Sequence, residues 1–299
     1  MSDSSKKLYV VVGPTAVGKT QFAIDLALSL DSSIVNADSR QVYTELSIGV
    51  NKPSSHQLSQ AHHHLIGHRS ITSPYDVSTF VQEATAILTQ EFEMANTLVL
   101  AGGTGLYVKA LLEGLDEIPN VSEDIKAELN LRLKEVGLED LTKILKEKDP
   151  DYYEKVDLAN PHRVLRALGV IEASGTPFSI FLNKKNNPEH VFDIEYIYIN
   201  QDRNELRKVI NKRVEDMLEL GLEDEVYSLR EYRDYAALKT VGYQEWWPYF
   251  AGDITRQECI DLIKIKTGQY AKRQQTWFNK YIPVPSLSLE SVYQKYLGR

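Results

Sequence analysis

The segment GPTAVGKT, which runs from Gly13 to Thr20, restricts the fold more than any other stretch of the 299-residue sequence. It matches the pattern G-x-x-x-x-G-K-[ST], in which backbone amides surround phosphate oxygens and the lysine adds a positive charge. The β-branched run LYVVV precedes the segment and the helical run TQFAIDLALSL follows it. Strand, loop and helix in this order predict an anion site at the start of the first helix, with Thr20 as the expected Mg²⁺ ligand.

Strand-like and helical runs alternate after this loop. SIVNA (Ser33 to Ala37) and TLVLA (Thr97 to Ala101) predict two further strands, and the helix between them, VSTFVQEATAILTQEFEMA, has Ser78 as its expected N-cap. Such alternation is typical of an α/β fold with a P-loop NTPase-like parallel sheet flanked by helices. Ligands of these sheets bind beyond the carboxyl ends of the strands, so NADSR and GGTG should lie beside the phosphate loop.

The pattern changes after about Asp116. SEDIKAELNLRLKEVG, LEDLTKILKEK and NPHRVLRALGVIEASG predict three helices with no strong strand among them, and IEYIYIN (Ile194 to Asn200) resumes strand character. We therefore predict a catalytic core made of residues 1–115 and 192–299, into which an all-helical domain of residues 116–191 is inserted.

Asp38 is the candidate for proton chemistry. P-loop proteins that hydrolyse ATP usually place an acid after a core strand, but the strand ending at Ala101 is followed by GGTG. The nearest strand-end acid is Asp38, which could accept a proton from a second substrate or could cap a helix or stand next to Mg²⁺. Thr104, within GGTG, offers a hydroxyl that can donate or accept a hydrogen bond, or it could simply cap a tight turn.

The charge distribution does not exclude binding to a nucleic acid. The net charge of −8 argues against such a partner, but Lys264 to Lys280 contains five basic residues and no acidic residue. A local basic stripe matters more for phosphate contacts than the total charge. The alternative is a solvated helix face without a partner.

Several functional classes are disfavoured by composition. The single cysteine, Cys259, allows no internal disulfide or cysteine-built zinc site and suits a reducing compartment. No apolar run approaches the roughly 20 residues of a membrane span, and Met1 to Lys7 is too short and polar for a signal peptide. We therefore expect a cytoplasmic protein. The histidines at positions 62, 63, 64 and 68 lack cysteines or closely spaced acids, and we expect a polar loop there rather than a metal site.

Seven segments occur in order along the chain: GPTAVGKT, NADSRQVY, AGGTGLY, NPHRVLRAL, GLEDEV, VGYQE and YAKRQQTWF. Together they resemble the bacterial type of the tRNA dimethylallyltransferase (tRNA isopentenyltransferase) family, over Gly13 to Phe278. GGTGLY combined with AKRQ-x-TW carries most of the specificity. The resemblance implies that a dimethylallyl group moves from its diphosphate to the exocyclic N6 amine of the adenine 3′-adjacent to the tRNA anticodon, with release of diphosphate.

The resemblance also implies residue roles. Asp38 would take the proton of the amine, Thr104 would position the reacting groups, and Mg²⁺ would bind at Thr20. The residues implied for the donor's diphosphate are Gly13, Pro14, Thr15, Ala16, Val17, Gly18, Lys19, Thr20 and Arg213. The residues expected to contact the tRNA anticodon stem-loop, with Lys272 and Arg273 taken from the basic run, are Asp38, Ser39, Arg40, Gln41, Thr104, Lys126, His162, Arg163, Val164, Leu165, Arg166, Lys272 and Arg273.

Three positions depart from the family pattern, and three other functions stay open. Gly67 stands where many relatives have Asp, Gly268 where many have Arg, and Val209 roughly where the family has an arginine; these differences concern the grip on tRNA. The alternatives are an adenylate isopentenyltransferase acting on AMP, ADP or ATP, a P-loop kinase, and a non-catalytic RNA-binding protein. The helical insertion and KRQQTWF favour tRNA, and nothing in the sequence requires more than a monomer.

Overall fold

A computed structural model describes residues 6–182 and 189–299, and the chain divides into two units. The first unit comprises Met1–Leu112 and Glu189–Arg299, and the second comprises Glu113–Pro188. These boundaries lie close to the predicted core and insertion. Residues 183–188 of the predicted insertion, and the first five residues of the chain, lie outside the described residues.

A five-stranded parallel sheet forms the centre of the first unit. The strands are β1 (Lys7–Val12), β2 (Ile34–Asn36), β3 (His63–His64), β4 (Thr97–Gly102) and β5 (Asp193–Tyr198), in the spatial order β3-β2-β4-β1-β5. Strand β1 pairs in parallel with both β4 and β5, so Lys7 lies between Thr97 and Asp193. The parallel α/β sheet predicted from the sequence is confirmed.

Helices cover both faces of this sheet and build the second unit. In chain order, the α-helices of the described residues are α1 (Lys19–Leu30), α2 (Ser55–Gln60), α3 (Val77–Met94), α4 (Gly105–Glu113), α5 (Glu123–Lys148), α6 (Pro150–Tyr153), α7 (Pro161–Ser174), α8 (Arg203–Glu219), α9 (Leu222–Ser228), α10 (Trp246–Ala251), α11 (Arg256–Tyr281) and α12 (Leu289–Leu297). Short 3₁₀ helices span Phe178–Phe181, Arg230–Tyr232 and Ala236–Leu238. Across the described part of the chain, no helix combines the length and apolar character needed to cross a lipid bilayer.

The side chains of β1 point alternately to the two faces of the sheet, which explains why both faces are covered. Leu8, Val10 and Val12 belong to one buried cluster, together with residues of α3 and α4, whereas Val11 belongs to another cluster with residues of α1 and α8. Successive side chains of a strand point to opposite faces, so a run without polar residues needs apolar partners on both sides. The sheet is therefore fixed between two helical layers, and the carboxyl ends of its strands converge on one edge.

Two local predictions are wrong. Helix α3 is capped by Asp76, whose carboxylate accepts the backbone N–H of Thr79 at 2.9 Å, and Ser78 lies inside the first turn. The histidine-rich segment is not a loop, because His63 and His64 pair with Ile34 and Val35 as the edge strand β3. One edge of β2 has backbone N–H and C=O groups that can pair with another strand. The hydrogen bonds formed there outweigh the low strand propensity of the two-residue segment.

The second unit is built from α5, α6 and α7. Helix α5 is interrupted at Gly137, where φ is 80°, so its two halves correspond to two of the three predicted helices. Leu129, Leu141 and Leu145 of α5 pack with the buried face of α7, including Val164 and Leu168. The unit thus has its own hydrophobic core, as an inserted domain requires.

Candidate functional site

A cavity of about 560 Å³ opens at the carboxyl edge of the sheet. It lies where ligands bind in parallel α/β folds. Its walls come from the loop after β1, the segment after β2, the end of β4, and helices α8 and α11. Among the lining residues are Thr15, Ala16, Gly18, Lys19, Thr20, Asp38, Ser39, Arg40, Gln41, Gly102, Gly103, Arg213, Tyr270, Arg273 and Gln274.

The loop after β1 lines this cavity through Thr15, Ala16 and Gly18, and the first turn of α1 through Lys19 and Thr20. Helix α1 begins after Gly18, which adopts a φ of 90° and provides no side-chain cap for the first turn. At Gly13 the chain comes so close to β5 that a Cβ would lie 2.1 Å from the carbonyl oxygen of Ile199. Helix N-terminal amides without an internal acceptor attract anions. The segment from Gly13 to Thr20, the predicted anion cradle, is therefore suited to an anion, and anion binding there stays a prediction. Val17 is buried in the core, so it could offer only its backbone.

Two cations lie beside the cradle without a carboxylate partner among the described residues. The Lys19 ammonium donates to the carbonyl oxygen of Pro14 at 2.6 Å, and the Arg213 guanidinium donates to Thr15 Oγ1 at 3.0 Å. Burial, together with the nearby positive charge of Arg213, lowers the pKa of Lys19 to about 7. Burial also lowers the pKa of Arg213. Like charges in a desolvated site destabilise each other, so an anion placed between them would be stabilised strongly.

Binding of inorganic diphosphate should therefore take up protons at neutral pH. A lysine with a pKa of about 7 is roughly one-quarter protonated at pH 7.5, so a bound anion that restores the ammonium form should draw in roughly three-quarters of a proton. Isothermal titration calorimetry in buffers of different ionisation enthalpy measures this uptake. The Lys19→Arg variant is the matched control, because its guanidinium stays charged and titrates too high to contribute. Affinity should fall from pH 7 to 9 in the wild type relative to this variant; identical proton counts in the two proteins would contradict the prediction.

Asp38 holds a turn and also lines the cavity, and its role in proton transfer stays a prediction. Its Oδ1 accepts the backbone N–H groups of Arg40 at 2.9 Å and Gln41 at 3.3 Å, which holds the turn after β2. The half-buried residue also lines the cavity that contains Lys19 and Arg213. A carboxylate has about four lone-pair sites, so the two backbone bonds leave capacity to accept a substrate proton. Capping the turn is thus compatible with proton transfer.

Thr104 holds another part of the site. Its Oγ1 accepts the backbone N–H of Ser39 at 3.0 Å and donates to Ser39 Oγ at 3.3 Å. Thr104 is not among the described residues that line the cavity. The contact between Thr104 and Ser39 fixes the GGTG turn against the segment that carries Asp38. A direct catalytic contact of Thr104 with substrate stays a prediction.

Sequence reasoning missed Gln274, a buried side chain on α11. Its Nε2 donates to the carbonyl oxygen of Gly103 at 2.8 Å, and its Oε1 accepts the backbone N–H of Thr15 at 2.8 Å. Gly103 leaves room for this amide, since a Cβ there would lie 2.6 Å from Gln274 Nε2. Glutamine carries no charge and no strong local preference, so the one available signal was its place within KRQQTWF.

Tyr270 and Gln244 were also missed, and both line the cavity. Burial, together with the negative charge of Asp38, raises the pKa of the Tyr270 phenol above its ordinary value. Tyr270 therefore stays protonated and offers a hydroxyl donor in the cavity that Asp38 also lines. Periodicity alone gave no reason to separate it from other helix residues.

The side chains of the first unit that are expected to contact RNA differ in whether their polar groups are already hydrogen-bonded within the protein. The Gln41 side chain is buried and donates to the carbonyl oxygens of Val50 at 3.2 Å and Asn51 at 2.9 Å, so its amide nitrogen is already engaged. The Arg40 guanidinium donates to the carbonyl oxygen of Ala236 at 3.2 Å. Lys272 and Arg273 are exposed on α11. These two cations can meet phosphates without disturbing the fold.

The expected contacts of the second unit need one correction. His162, Arg163 and Arg166 are exposed on α7, but Val164 is fully buried and Leu165 packs partly against the core of that unit. Residues three or four positions apart share a helix face, so a helix that turns Arg163 and Arg166 outward must turn Val164 inward. The Val164 side chain is therefore unavailable to a ligand. Lys126 is exposed and forms an ion pair with Glu123 at 2.7 Å.

Comparisons with known proteins agree on one family. Residues 41–281 match the family model described as IPP transferase. A tRNA dimethylallyltransferase of Christiangramia forsetii is 42% identical over 276 residues, which cover 92% of this chain and 91% of that protein. tRNA dimethylallyltransferase 1 of Bacteroides thetaiotaomicron is 41% identical over 273 residues, which cover 91% of this chain and 88% of that protein.

Solved structures show the same likeness. The full-length tRNA isopentenylpyrophosphate transferase of Bacillus halodurans is similar with a TM-score of 0.70 at 32% identity, covering 97% of this chain and 94% of that one. A eukaryotic dimethylallyltransferase described as acting on tRNA has a TM-score of 0.82 over 98% of this chain and 77% of that one. At 24% identity, the second comparison supports the fold alone.

Proposed function

The chain belongs to the IPP transferase family, and on that premise we propose that it moves a dimethylallyl group from dimethylallyl diphosphate to the N6 amine of an adenine in tRNA. It is a prenyltransferase that modifies tRNA, as its named relatives are. The observation that carries the proposal is one cavity in which a desolvated pair of cations lies with an aspartate. The cations suit a diphosphate leaving group, and the aspartate suits an amine that loses a proton.

The donor half of the site would act on the leaving group. As the carbon–oxygen bond of the donor breaks, the electron pair stays on the diphosphate, and negative charge grows where Lys19, Arg213 and the amides of the phosphate loop converge. Fixed donors that meet charge as it develops lower the barrier more than they stabilise the bound substrate. The loop would thus act on a diphosphate that leaves intact, with no phosphate transferred.

The residues at the phosphate loop fit a Mg²⁺ ion held mainly by substrate phosphates and water. Thr20 lies in the first turn of α1 and lines the cavity, and Mg²⁺ in such sites keeps several waters and takes few protein ligands. Within residues 6–182 and 189–299, no group of three or more His, Cys, Asp or Glu side chains could hold a metal ion by itself. When bound, Mg²⁺ would neutralise diphosphate charge, and Thr20 is the residue that would hold it.

The acceptor half of the site would act through Asp38. The adenine nitrogen forms its bond to the prenyl carbon with its lone pair, and Asp38 accepts the proton that this nitrogen must lose. The exocyclic amine is a weak nucleophile, so alignment and a positioned base both contribute to the rate. Tyr270, which lines the same cavity, adds a wall and a hydroxyl donor.

The acceptor is proposed to be the adenine 3′-adjacent to the anticodon. A base in a single-stranded loop leaves its stack at lower cost than a base in a duplex, which suits an enclosed reaction site. Exposed cations for RNA phosphates are Lys272 and Arg273 on α11 of the first unit, and Arg163 and Arg166 on α7 of the second. One chain contains each of these elements, so we propose a monomer, and a tRNA substrate supports the proposal of a cytoplasmic enzyme.

Two other functions fit less well. An adenylate isopentenyltransferase would use the same chemistry, but it would have no use for the exposed cations of α7. A P-loop kinase would be expected to carry an acid after a core strand for Mg²⁺ and the nucleophile, whereas β4 ends in glycines at Gly102 and Gly103. A Cβ at Gly102 would lie 2.1 Å from the carbonyl oxygen of Ala37, so no larger residue fits there.

A direct acceptor assay should show prenyl transfer to tRNA alone. The purified protein is incubated with labelled dimethylallyl diphosphate and Mg²⁺, together with unmodified tRNA, AMP, ADP or ATP. We expect label in tRNA, absent when the adenine after the anticodon is replaced by guanine, and no requirement for ATP. Label in AMP, ADP or ATP but not in tRNA would overturn the acceptor assignment, and phosphate transfer from ATP would favour the kinase.

A further inference from the structure

The side-chain amide of Gln274 joins the two halves of the site. It accepts the backbone N–H of Thr15 in the phosphate loop and donates to the carbonyl oxygen of Gly103 in the GGTG turn, at 2.8 Å in each case. The side chain is 7% exposed. A buried amide with both its oxygen and its nitrogen engaged by backbone has a fixed orientation, since a flip would face donor with donor and acceptor with acceptor.

Each of the two backbone groups belongs to a segment that contacts one of the proposed reacting parts of the site. On the donor side, Thr15 also accepts through its Oγ1 from Arg213, one of the two cations beside the cradle. On the acceptor side, Gly103 precedes Thr104, whose hydroxyl holds Ser39 next to Asp38. A continuous series of contacts therefore links the cations proposed for the leaving group to Gln274. The same series continues from Gln274 to the carboxylate proposed to accept the proton.

We propose that Gln274 is a positioning residue for the transfer reaction, which sets the distance between the diphosphate cradle and Asp38. This inference rests on the proposed function. In prenyl transfer the reacting carbon lies between the leaving oxygen of the diphosphate and the attacking nitrogen of the adenine. Both atoms must be at short range from this carbon. A shift of about 1 Å in such a geometry can cost on the order of 100-fold in rate. Without Gln274 the cations and the carboxylate would still line the cavity, but the distance between them would no longer be fixed.

The proposal predicts that catalysis suffers more than binding. The Gln274→Met variant keeps the length of the side chain and loses both hydrogen bonds, so kcat should fall by about 10- to 100-fold while KM for dimethylallyl diphosphate changes by less than about threefold. The matched control is Gln275→Met. Gln275 is the next residue of α11, and its amide bonds Asn200 Oδ1 at 2.8 Å, away from the lining of the cavity. The control should keep both constants.

A second variant tests the donor and acceptor pattern itself. In Gln274→Glu the introduced carboxyl has the shape of the amide, and when protonated it can accept from Thr15 and donate to Gly103. When ionised it can only accept, so it would repel the Gly103 carbonyl oxygen. Burial favours the protonated form of a carboxyl group. The kcat of Gln274→Glu relative to wild type should therefore rise as the pH falls from 8.5 to 6, by up to about tenfold per pH unit above the pKa of the new group.

The outcomes separate this inference from the proposed function. Wild-type protein that transfers no prenyl group to any adenine acceptor overturns the proposed function. Active wild-type protein with undiminished kcat in Gln274→Met overturns the positioning role alone. So does a Gln274→Glu activity ratio that is flat with pH. Equal losses of kcat and of affinity for inorganic diphosphate in Gln274→Met would make the residue a structural support of the loop and would also overturn it.

Discussion

Replacement of Asp38 by asparagine should reduce kcat for prenyl transfer by about 10²- to 10⁴-fold, the usual contribution of a positioned general base. Asparagine keeps an oxygen that can accept the N–H groups of Arg40 and Gln41, so the turn after β2 should keep its shape. The variant loses the negative charge of the carboxylate and, with it, the basicity. Single-turnover rates with saturating donor and tRNA measure the effect, while affinities for tRNA and for diphosphate should stay within about threefold.

Asp76 supplies the matched control for this experiment. Its Oδ1 accepts the backbone N–H of Thr79 at 2.9 Å as the cap of α3, and it does not line the cavity. Asp76→Asn should therefore leave the rate unchanged. Equal rates for Asp38→Asn and wild type would exclude Asp38 as the base. Parallel loss of rate and tRNA affinity would instead give Asp38 a mainly structural role.

Replacement of Lys19 by methionine should reduce kcat by about 10²- to 10³-fold, because one fixed donor to the leaving diphosphate is removed. The same change should not destabilise the free protein. The folded-state pKa of Lys19 lies below its unfolded value, so protonation disfavours the folded state, with a penalty that grows as the pH falls from 10.5 toward about 7. Methionine removes this penalty and packs its stem in the same space.

Thermal unfolding with and without inorganic diphosphate and Mg²⁺ measures both effects. Diphosphate should raise the Tm of wild type and should raise that of Lys19→Met much less. Lys52→Met is the matched control, because Lys52 is also half-buried, has a pKa lowered by burial and donates to a backbone carbonyl oxygen, that of Tyr43. It should keep the diphosphate-induced shift. A Lys19→Met protein that binds diphosphate with wild-type affinity would contradict the assignment of Lys19.

The fold was predictable where local patterns repeat over several residues. The runs that became β1, β4 and β5 are long and β-branched, and the long helices carry apolar residues at helical spacing. The errors fall on short elements. Strand β3 has two residues and depends on a partner, and the cap of α3 lies two positions before the serine that composition favoured. For β3 the pairing with β2 outweighed a weak local preference, whereas the cap of α3 is a local contact for which Asp76 rather than Ser78 is in position.

The sequence alone determined features built by residues that are close together in the chain. The tertiary structure decided those that depend on contacts between residues far apart in the chain. The anion cradle from Gly13 to Thr20 was predictable from the sequence, because consecutive residues and the start of α1 would form it. The environment of the cradle was not evident, since Arg213 and Gln274 reach Thr15 from 198 and 259 residues away in the chain. Side-chain hydrogen bonds of that range exist only after α8 and α11 pack against the sheet, and no local pattern encodes them. Strand-end topology predicted Asp38 beside the cradle and the family resemblance implied Arg213, but only the tertiary structure revealed the bridging amide of Gln274 and the contacts around it.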